Sequence, residues 1–238
     1  MMQIEQATLS PLNAVSLADV LDPLFPNQLR VPRNGADNAI EYRNIMLLGG
    51  QGSGKTTTAQ ALAWSLGRKY GLGQTTFAIQ IAGIDRLLNV PTRVPGKCWL
   101  FVAEDITLAK IPKSNLNQFF QIRHLIQRYT GLREGMAVTM FNSHTFHGLD
   151  KNLRDTFNAL IIKSVPTNPY DRGIVKRYFN WLLLDQFEKE WTEDKCLVWT
   201  PEHNHGVLAM INPAPNDSIQ NVAVRRSLWS RLFGLGGR

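Results

Sequence analysis

Short apolar runs alternate with amphipathic segments through the middle of this chain. Each run is brief and bounded by turn or polar residues, a pattern typical of a buried parallel strand. The runs are Asn44–Leu48, Thr75–Ile81, Cys98–Ala103, Ala137–Phe141 and Leu160–Ile162. Segments with helical spacing separate them: Ala59–Tyr70, Ile84–Asn89, Leu116–Tyr129 and Leu149–Phe157. This alternation predicts an α/β fold with a central, mostly parallel five-stranded sheet sandwiched by helices.

The pattern changes after Pro166. A long apolar helix is predicted over Ile174–Trp191, and the runs Cys196–Trp199 and Gly206–Ile211 flank a polar turn like the strands of a hairpin. The sheet is therefore expected to be followed by a C-terminal helix and hairpin.

The two ends of the chain lack this alternation. Residues 1–40 offer only a short helix around Ser16–Leu21 and a turn-rich stretch, and residues 213–238 form a basic tail. We expect an N-terminal extension (1–40), one domain (41–212) and a C-terminal tail (213–238).

A glycine-rich loop joins the first predicted strand to the helix that follows it. Gly49, Gly54, Lys55 and Thr56 fit the spacing Gly-x4-Gly-Lys-[Ser/Thr]. Glycines let the backbone wrap a polyphosphate, the lysine reaches the β- and γ-phosphates, and the threonine hydroxyl binds Mg²⁺. The strand–loop–helix context supports a P-loop, and the predicted nucleotide-binding residues are Gly49, Gly50, Gln51, Gly52, Ser53, Gly54, Lys55, Thr56 and Thr57.

Two carboxylates follow the third apolar run. Glu104 and Asp105 come directly after Cys98–Ala103, 49 residues beyond Lys55. This resembles the Walker B element of additional-strand P-loop ATPases, the class that includes AAA+ and RecA-like motors. The resemblance implies that Glu104 holds Mg²⁺ and Asp105 polarises the attacking water. The family usually has Asp before Glu, so the reversed order leaves the two roles exchangeable.

The same resemblance suggests two further site residues. Asn142 follows the fourth predicted strand and is expected to sense the γ-phosphate, with Ser143 or His144 in reserve. The stretch Gly148–Arg154 looks like the region after this strand in FtsK–HerA-type DNA translocases and viral packaging ATPases. Arg154, or Lys151 on the same helix face, would then act as a finger toward a neighbouring subunit, unless both simply belong to a solvated face.

Composition and charge narrow the expected partners. The net charge is +7, and Lys110, Lys113, Arg123, Arg128 and Arg133 lie in one segment without an acidic residue. Such a segment suits a phosphate backbone, whereas Phe119 and Phe120 are expected in the core. No apolar stretch is long enough for a membrane helix, and two cysteines make no disulfide framework, so a cytoplasmic or virion-associated location is expected. The pairs His144/His147 and His203/His205 have zinc-like spacings, but neither set is complete.

Together these features predict an ATP hydrolase that requires Mg²⁺ and works as a homo-oligomeric ring. The leading expectation is a DNA motor or DNA-handling ATPase for translocation or genome packaging in a mobile element or virus. The alternative is a nucleotide-gated switch that binds protein. A phosphotransferase is disfavoured because no arginine-rich lid is present. A signal-recognition-particle GTPase, whose P-loop is similar, is rejected because its switch and guanine motifs are missing.

Overall fold

A computed structural model describes residues 15–33, 38–71, 75–80, 98–103, 121–149 and 151–212. Within these ranges eight strands form one sheet. The strands are β1 Val15–Ser16, β2 Ala39–Leu48, β3 Thr75–Gln80, β4 Cys98–Ala103, β5 Glu134–Ser143, β6 Ala159–Ile162, β7 Lys195–Trp199 and β8 Val207–Met210. The helices are α1 Leu17–Leu21, α2 Lys55–Tyr70, α3 Ile122–Thr130, α4 Lys151–Arg154, α5 Pro169–Val175 and α6 Trp181–Lys189, with a 3₁₀ turn over Asp22–Leu24.

The order of the strands places β2 where the crossover connections change side, because the chain leaves β2 toward β3 and later passes it to reach β6. The order is β1-β8-β7-β6-β2-β5-β4-β3, and β3, β4, β5, β2 and β6 are parallel to their neighbours in this group. The strand β5 lies between β2 and β4, although β4 precedes it in the chain. This inserted strand defines the additional-strand arrangement. A crevice outside the carboxyl ends of the strands at such a reversal is where open α/β sheets bind ligands.

Helices cover both faces of the sheet. On one face, α1 and α2 pack on β2 and β4 through Leu17, Leu21, Leu62 and Leu66, all of which are buried. On the other face, α3, α5 and α6 contribute Ile122, Ile126, Val175, Leu184 and Phe187. The central strands are apolar on both sides, as the uninterrupted runs predicted, because both of their faces are buried. The mostly parallel, helix-covered α/β sheet is thus confirmed.

The sheet is larger than the predicted five strands. The predicted C-terminal hairpin forms as β7 and β8, but it joins the main sheet because β7 pairs antiparallel with β6. The two-residue strand β1 then pairs with β8, and α1 and Phe25 pack in the core beneath it. These pairings provide hydrogen-bonding partners for the edge of β6, which the five-stranded prediction left unpaired.

The long predicted helix Ile174–Trp191 is wrong, because α5 and α6 are separated by a turn. Phe179 in this turn enters the core, where it packs so close to Gly206 that a Cβ there would lie 2.2 Å from a ring carbon. Asn180 then starts α6: its side chain accepts a hydrogen bond from Leu182 N (2.9 Å). Burial of Phe179 and the N-cap at Asn180 therefore break the chain into two helices, although the helical periodicity of the sequence is continuous.

The predicted helix over Leu149–Phe157 is also too long, since α4 is one turn. After Arg154 the chain extends, because the main chain and side chain of Asn158 bond to Asn44 O (2.7 Å) and Asn44 N (2.8 Å). Phe157 packs edge-on against Phe146, with ring centroids 6.1 Å apart. In the third helix, α3 begins at Ile122, later than the predicted Leu116, while Ile84–Asn89 lies outside the described residues.

Candidate functional site

The P-loop connects the carboxyl end of β2 to the first turn of α2. Its first glycine is tied to the neighbouring strand, since Gly49 N donates to Ser143 O at 3.1 Å. Gly52 and Gly54 have φ values of 72° and 82°, which favour glycine over other residues. Gly50, Gln51 and Gly52 are exposed, as are Thr56 and Thr57 at the start of α2. The loop is therefore open to a ligand while its base is held by the sheet.

Lys55 is buried beneath this loop. Only 8% of the residue is exposed, and its ammonium group donates to Gly49 O (2.8 Å) and Gly50 O (2.9 Å). The same Nζ lies 3.4 Å from Nδ1 of His144, which follows β5. The ammonium group thus sits between the loop and the carboxyl end of β5, where it can reach a phosphate held by the loop amides.

The polar residues at the carboxyl end of β5 differ in their surroundings. Asn142 is fully buried, and neither its amide nitrogen nor its amide oxygen has a partner among the described residues. Ser143 instead donates its hydroxyl to Thr145 O at 2.6 Å and accepts from Thr145 N at 3.2 Å. Buried polar groups without partners are rare in folded proteins. Among Asn142, Ser143 and His144, only Asn142 therefore has a side chain with unused hydrogen-bonding groups among the described residues, whereas His144 contacts Lys55.

The acidic pair Glu104 and Asp105 lies outside the described residues, but the strand that leads to it is described. Ala103, the last residue of β4, is in register with Phe141, one residue before Asn142. Because β5 separates β4 from β2, the carboxyl ends of these two strands lie about 10 Å apart. The carboxyl end of β4, which precedes Glu104 in the sequence, is therefore at the same edge of the sheet as the P-loop.

Arg154 makes no hydrogen bond or ion pair with the P-loop of its own chain among the described residues. Thr156, two residues later, accepts a hydrogen bond from Asn44 (3.2 Å), which lies about 16 Å along β2 from Gly49. Nε of Arg154 is buried without a partner in the described part of the chain, whereas Lys151 is exposed.

A second buried lysine, which sequence reasoning missed, lies under the P-loop. Lys163 directly follows β6, is fully buried, and donates to Glu193 O (2.5 Å) and Lys195 O (2.9 Å). Burial lowers the pKa of its ammonium group below the ordinary lysine value, because removal from water disfavours the charge. A Cβ on Gly49 would lie 2.8 Å from Cβ of Lys163, so the two backbones are in close contact. The one sequence signal was a lysine ending an apolar strand.

The histidine pairs do not assemble into a metal site. His147 contacts Asp171 instead, with Nδ1 at 3.0 Å from Oδ1, and Asp171 is buried. Among the residues that the structure describes, no group of three potential ligands is close enough to hold a metal ion.

The basic segment is described only in part. Arg123 and Arg128 on α3 are exposed, as is Arg133 before β5, while Lys110, Lys113, Phe119 and Phe120 lie outside the described residues. No helix within the described ranges combines the length and the apolar character needed to cross a membrane.

Comparison with known proteins agrees with this fold. No protein-family model and no curated protein sequence match the chain. Among solved structures, the genome packaging NTPase B204 from Sulfolobus turreted icosahedral virus 2, in complex with AMP, aligns with a TM-score of 0.50 and 8% identity. The alignment covers 73% of this chain and 98% of that one. EssC (ATPases 2 and 3) from Geobacillus thermodenitrificans aligns at 12% identity over 82% of this chain and 45% of that one, with a TM-score of 0.48.

The sheet order, the P-loop after β2 and the inserted strand β5 define the class: the chain has the fold of the additional-strand P-loop ATPases. A viral packaging NTPase shares this fold, in line with the predicted resemblance to FtsK–HerA-type and packaging ATPases. At 8% identity that likeness shows the fold alone, so the function has to be argued from the site.

Proposed function

We propose that this chain binds and hydrolyses ATP with Mg²⁺ and uses the energy to handle DNA as an oligomer. The observation that carries the proposal is the convergence of three polar elements on one edge of the sheet. Lys55 lies beneath the open P-loop, Asn142 is the next-to-last residue of β5 and has unsatisfied hydrogen-bonding groups, and β4 ends at that edge one residue before Glu104 in the sequence. Phosphate binding, metal support and water activation need these groups close together.

Each residue has a distinct role in the proposed reaction. The backbone amides of the P-loop other than those bonded to Ser143 and Ser164, together with the ammonium group of Lys55, hold the phosphates, and Thr56 with Glu104 holds Mg²⁺. The metal would neutralise the charge that develops on the γ-phosphate. Asp105 polarises the attacking water, and Asn142 orients it or contacts the γ-phosphate. Asp105→Asn should therefore bind ATP and fail to turn it over; normal turnover would move the role to Glu104.

A neighbouring subunit would complete the site. Arg154 has no hydrogen bond or ion pair with its own P-loop among the described residues, and we infer that it acts on another copy of the chain. An arginine supplied in trans stabilises the transition state of phosphoryl transfer. Lys55→Ala and Arg154→Ala chains should each be inactive alone, but a mixture should recover part of the ATPase rate. In the mixture, a Lys55→Ala chain supplies its Arg154 to the intact P-loop of an Arg154→Ala neighbour. The control mixture contains Lys151→Ala in place of Arg154→Ala. Mixtures that stay inactive would exclude this role.

DNA is proposed as the partner on the basis of charge. The net charge is +7, and Arg123, Arg128 and Arg133 are exposed around one helix and the strand after it. The NTPase that shares the fold is described as a genome packaging enzyme. Contacts of this kind are independent of sequence and weaken steeply with salt.

The ATPase rate with and without DNA, measured across salt concentrations, tests the proposal. DNA should stimulate the rate at low salt, and the stimulation should disappear as salt rises. Lys55→Ala should be inactive under all conditions. A measurable rate that DNA never changes would favour the alternative, a nucleotide-gated switch that binds protein. The exposed rings of Tyr170 and Trp181, each 64% exposed, favour that second candidate because large exposed aromatic residues occur at protein interfaces.

A further inference from the structure

The segment between α6 and β7 lies against the P-loop on the side away from β5. Glu193 O, which accepts a hydrogen bond from Lys163, would lie 3.5 Å from a Cβ placed on Gly54. Gly54 immediately precedes the first turn of α2. Residues 190–194, which we call the α6–β7 segment, therefore lie beside the start of that helix.

Trp191 in the α6–β7 segment is held by one hydrogen bond of its indole ring and is otherwise partly exposed to solvent. Its indole N–H donates to Lys163 O, and the next residue, Ser164, accepts a hydrogen bond from Gly50 N at 2.9 Å. The indole of Trp191 and the P-loop are thus hydrogen-bonded to two consecutive residues, Lys163 and Ser164. The residue is nevertheless 40% exposed, and no aromatic ring packs on it among the described residues. A large apolar ring held in place at the surface is suited to stacking.

The two sides of the P-loop have different chemistry. The side toward β5 carries the ammonium group of Lys55, His144 and Asn142, and the carboxyl end of β4 lies beyond them. These groups suit the γ-phosphate and its metal. The opposite side, beside β6, carries Ser164 and Trp191. Because the terminal phosphate is expected on the β5 side, the nucleoside end of the ligand has to leave toward β6.

We propose that Trp191 forms the nucleobase subsite of this P-loop by stacking on the base of the bound nucleotide. The inference rests on the proposed nucleotide site and names the group that holds its organic end. Stacking on a flat ring tolerates any base, so Trp191 supplies affinity for nucleotides without selecting adenine. Its indole N–H orients the ring and does not contact the ligand.

Binding of Mg-ATP and of Mg-tripolyphosphate, measured by titration calorimetry, tests this subsite. Tripolyphosphate offers the phosphates without a base. Trp191→Ala should weaken Mg-ATP binding about tenfold or more and leave tripolyphosphate binding unchanged, since loss of one base–aromatic stack typically has this size. Trp191→Phe, which keeps an aromatic face but loses the N–H donor, should bind Mg-ATP nearly as the wild type does.

Trp181→Ala is the matched control, because Trp181 is also exposed but begins α6. It should leave both affinities unchanged. Unchanged Mg-ATP affinity in Trp191→Ala would overturn the subsite, as would an equal loss for both ligands, or a Phe variant as weak as the Ala variant. If the Ala variant does not fold, Trp191→Leu fills similar space without an aromatic face and must show the same selective loss. A wild type that binds neither ligand would instead refute the proposed function.

Discussion

Adding one methyl group to Gly49 tests how tightly the P-loop is packed on the sheet. A Cβ at this position would lie 2.5 Å from Ser53 Oγ and 2.8 Å from Lys163 Cβ. The serine hydroxyl can rotate away, but Lys163 Cβ belongs to the residue that continues β6 and hydrogen-bonds to Leu48 O (2.7 Å). The backbones must therefore separate. Overpacking of this kind costs about 1–3 kcal/mol, and about 2 kcal/mol lowers the melting temperature of a chain this size by about 4–8 °C.

Gly50→Ala provides the matched comparison. Its Cβ would lie 3.7 Å from Ser164 Oγ, an ordinary contact, and its backbone is outside the left-handed region. We expect this variant to stay within about 0.5 kcal/mol of the wild type. Urea unfolding followed by circular dichroism gives both values. Equal stability of Gly49→Ala and the wild type, or equal losses in the two variants, would refute the packing of Gly49 between Ser53 and Lys163.

Three further predictions follow from buried or capping groups. The pKa of Lys163 is lower in the folded chain, so the unfolded chain holds the proton more tightly. Between the lowered folded pKa and the ordinary lysine pKa, the free energy of unfolding of the wild type should therefore rise with pH relative to that of Lys163→Met. Urea unfolding at pH 7 and pH 10 measures this, and a difference that stays constant or falls contradicts it. Asn142→Ala should slow ATP turnover about tenfold or more while leaving unfolding within about 1 kcal/mol, because the amide has no partner to lose; an unchanged turnover number removes Asn142 from the site. Asn180→Ala should cost about 1 kcal/mol in urea unfolding through loss of the cap on Leu182 N, and an unshifted midpoint would argue against the split between α5 and α6.

Local patterns predicted the centre of the fold well. Cys98–Ala103 is a strand with the predicted bounds, and α2 ends at the predicted Tyr70, where Gly71 has a positive φ that favours glycine after a helix. The insertion of β5 between β2 and β4 was predicted through the family resemblance. An uninterrupted apolar run buried on both faces, and a glycine that stops a helix, are properties that a short stretch of sequence contains.

The missed features depend on contacts between distant residues. The turn at Phe179 exists because Gly206, 27 residues later, leaves room for its ring, and helical periodicity contains no sign of that. The addition of β7 to β6 likewise depends on pairing of Trp199 with Leu160. In the candidate site, the motif predicted Lys55, but Lys163 and Trp191 are held beside the P-loop by hydrogen bonds to main-chain carbonyl groups of residues distant in the sequence. Residues that act through such contacts have no sequence signature.

Equilibrium binding of Mg-ATP to the wild type and to Lys55→Ala tests the central claim most directly. The account predicts saturable binding to the wild type, and an affinity about 100-fold lower in the variant, because a buried ammonium–phosphate contact is worth about 3 kcal/mol. The two proteins should have similar circular dichroism spectra. Equal affinities in the two proteins, or a wild type that binds no nucleotide, would contradict the account.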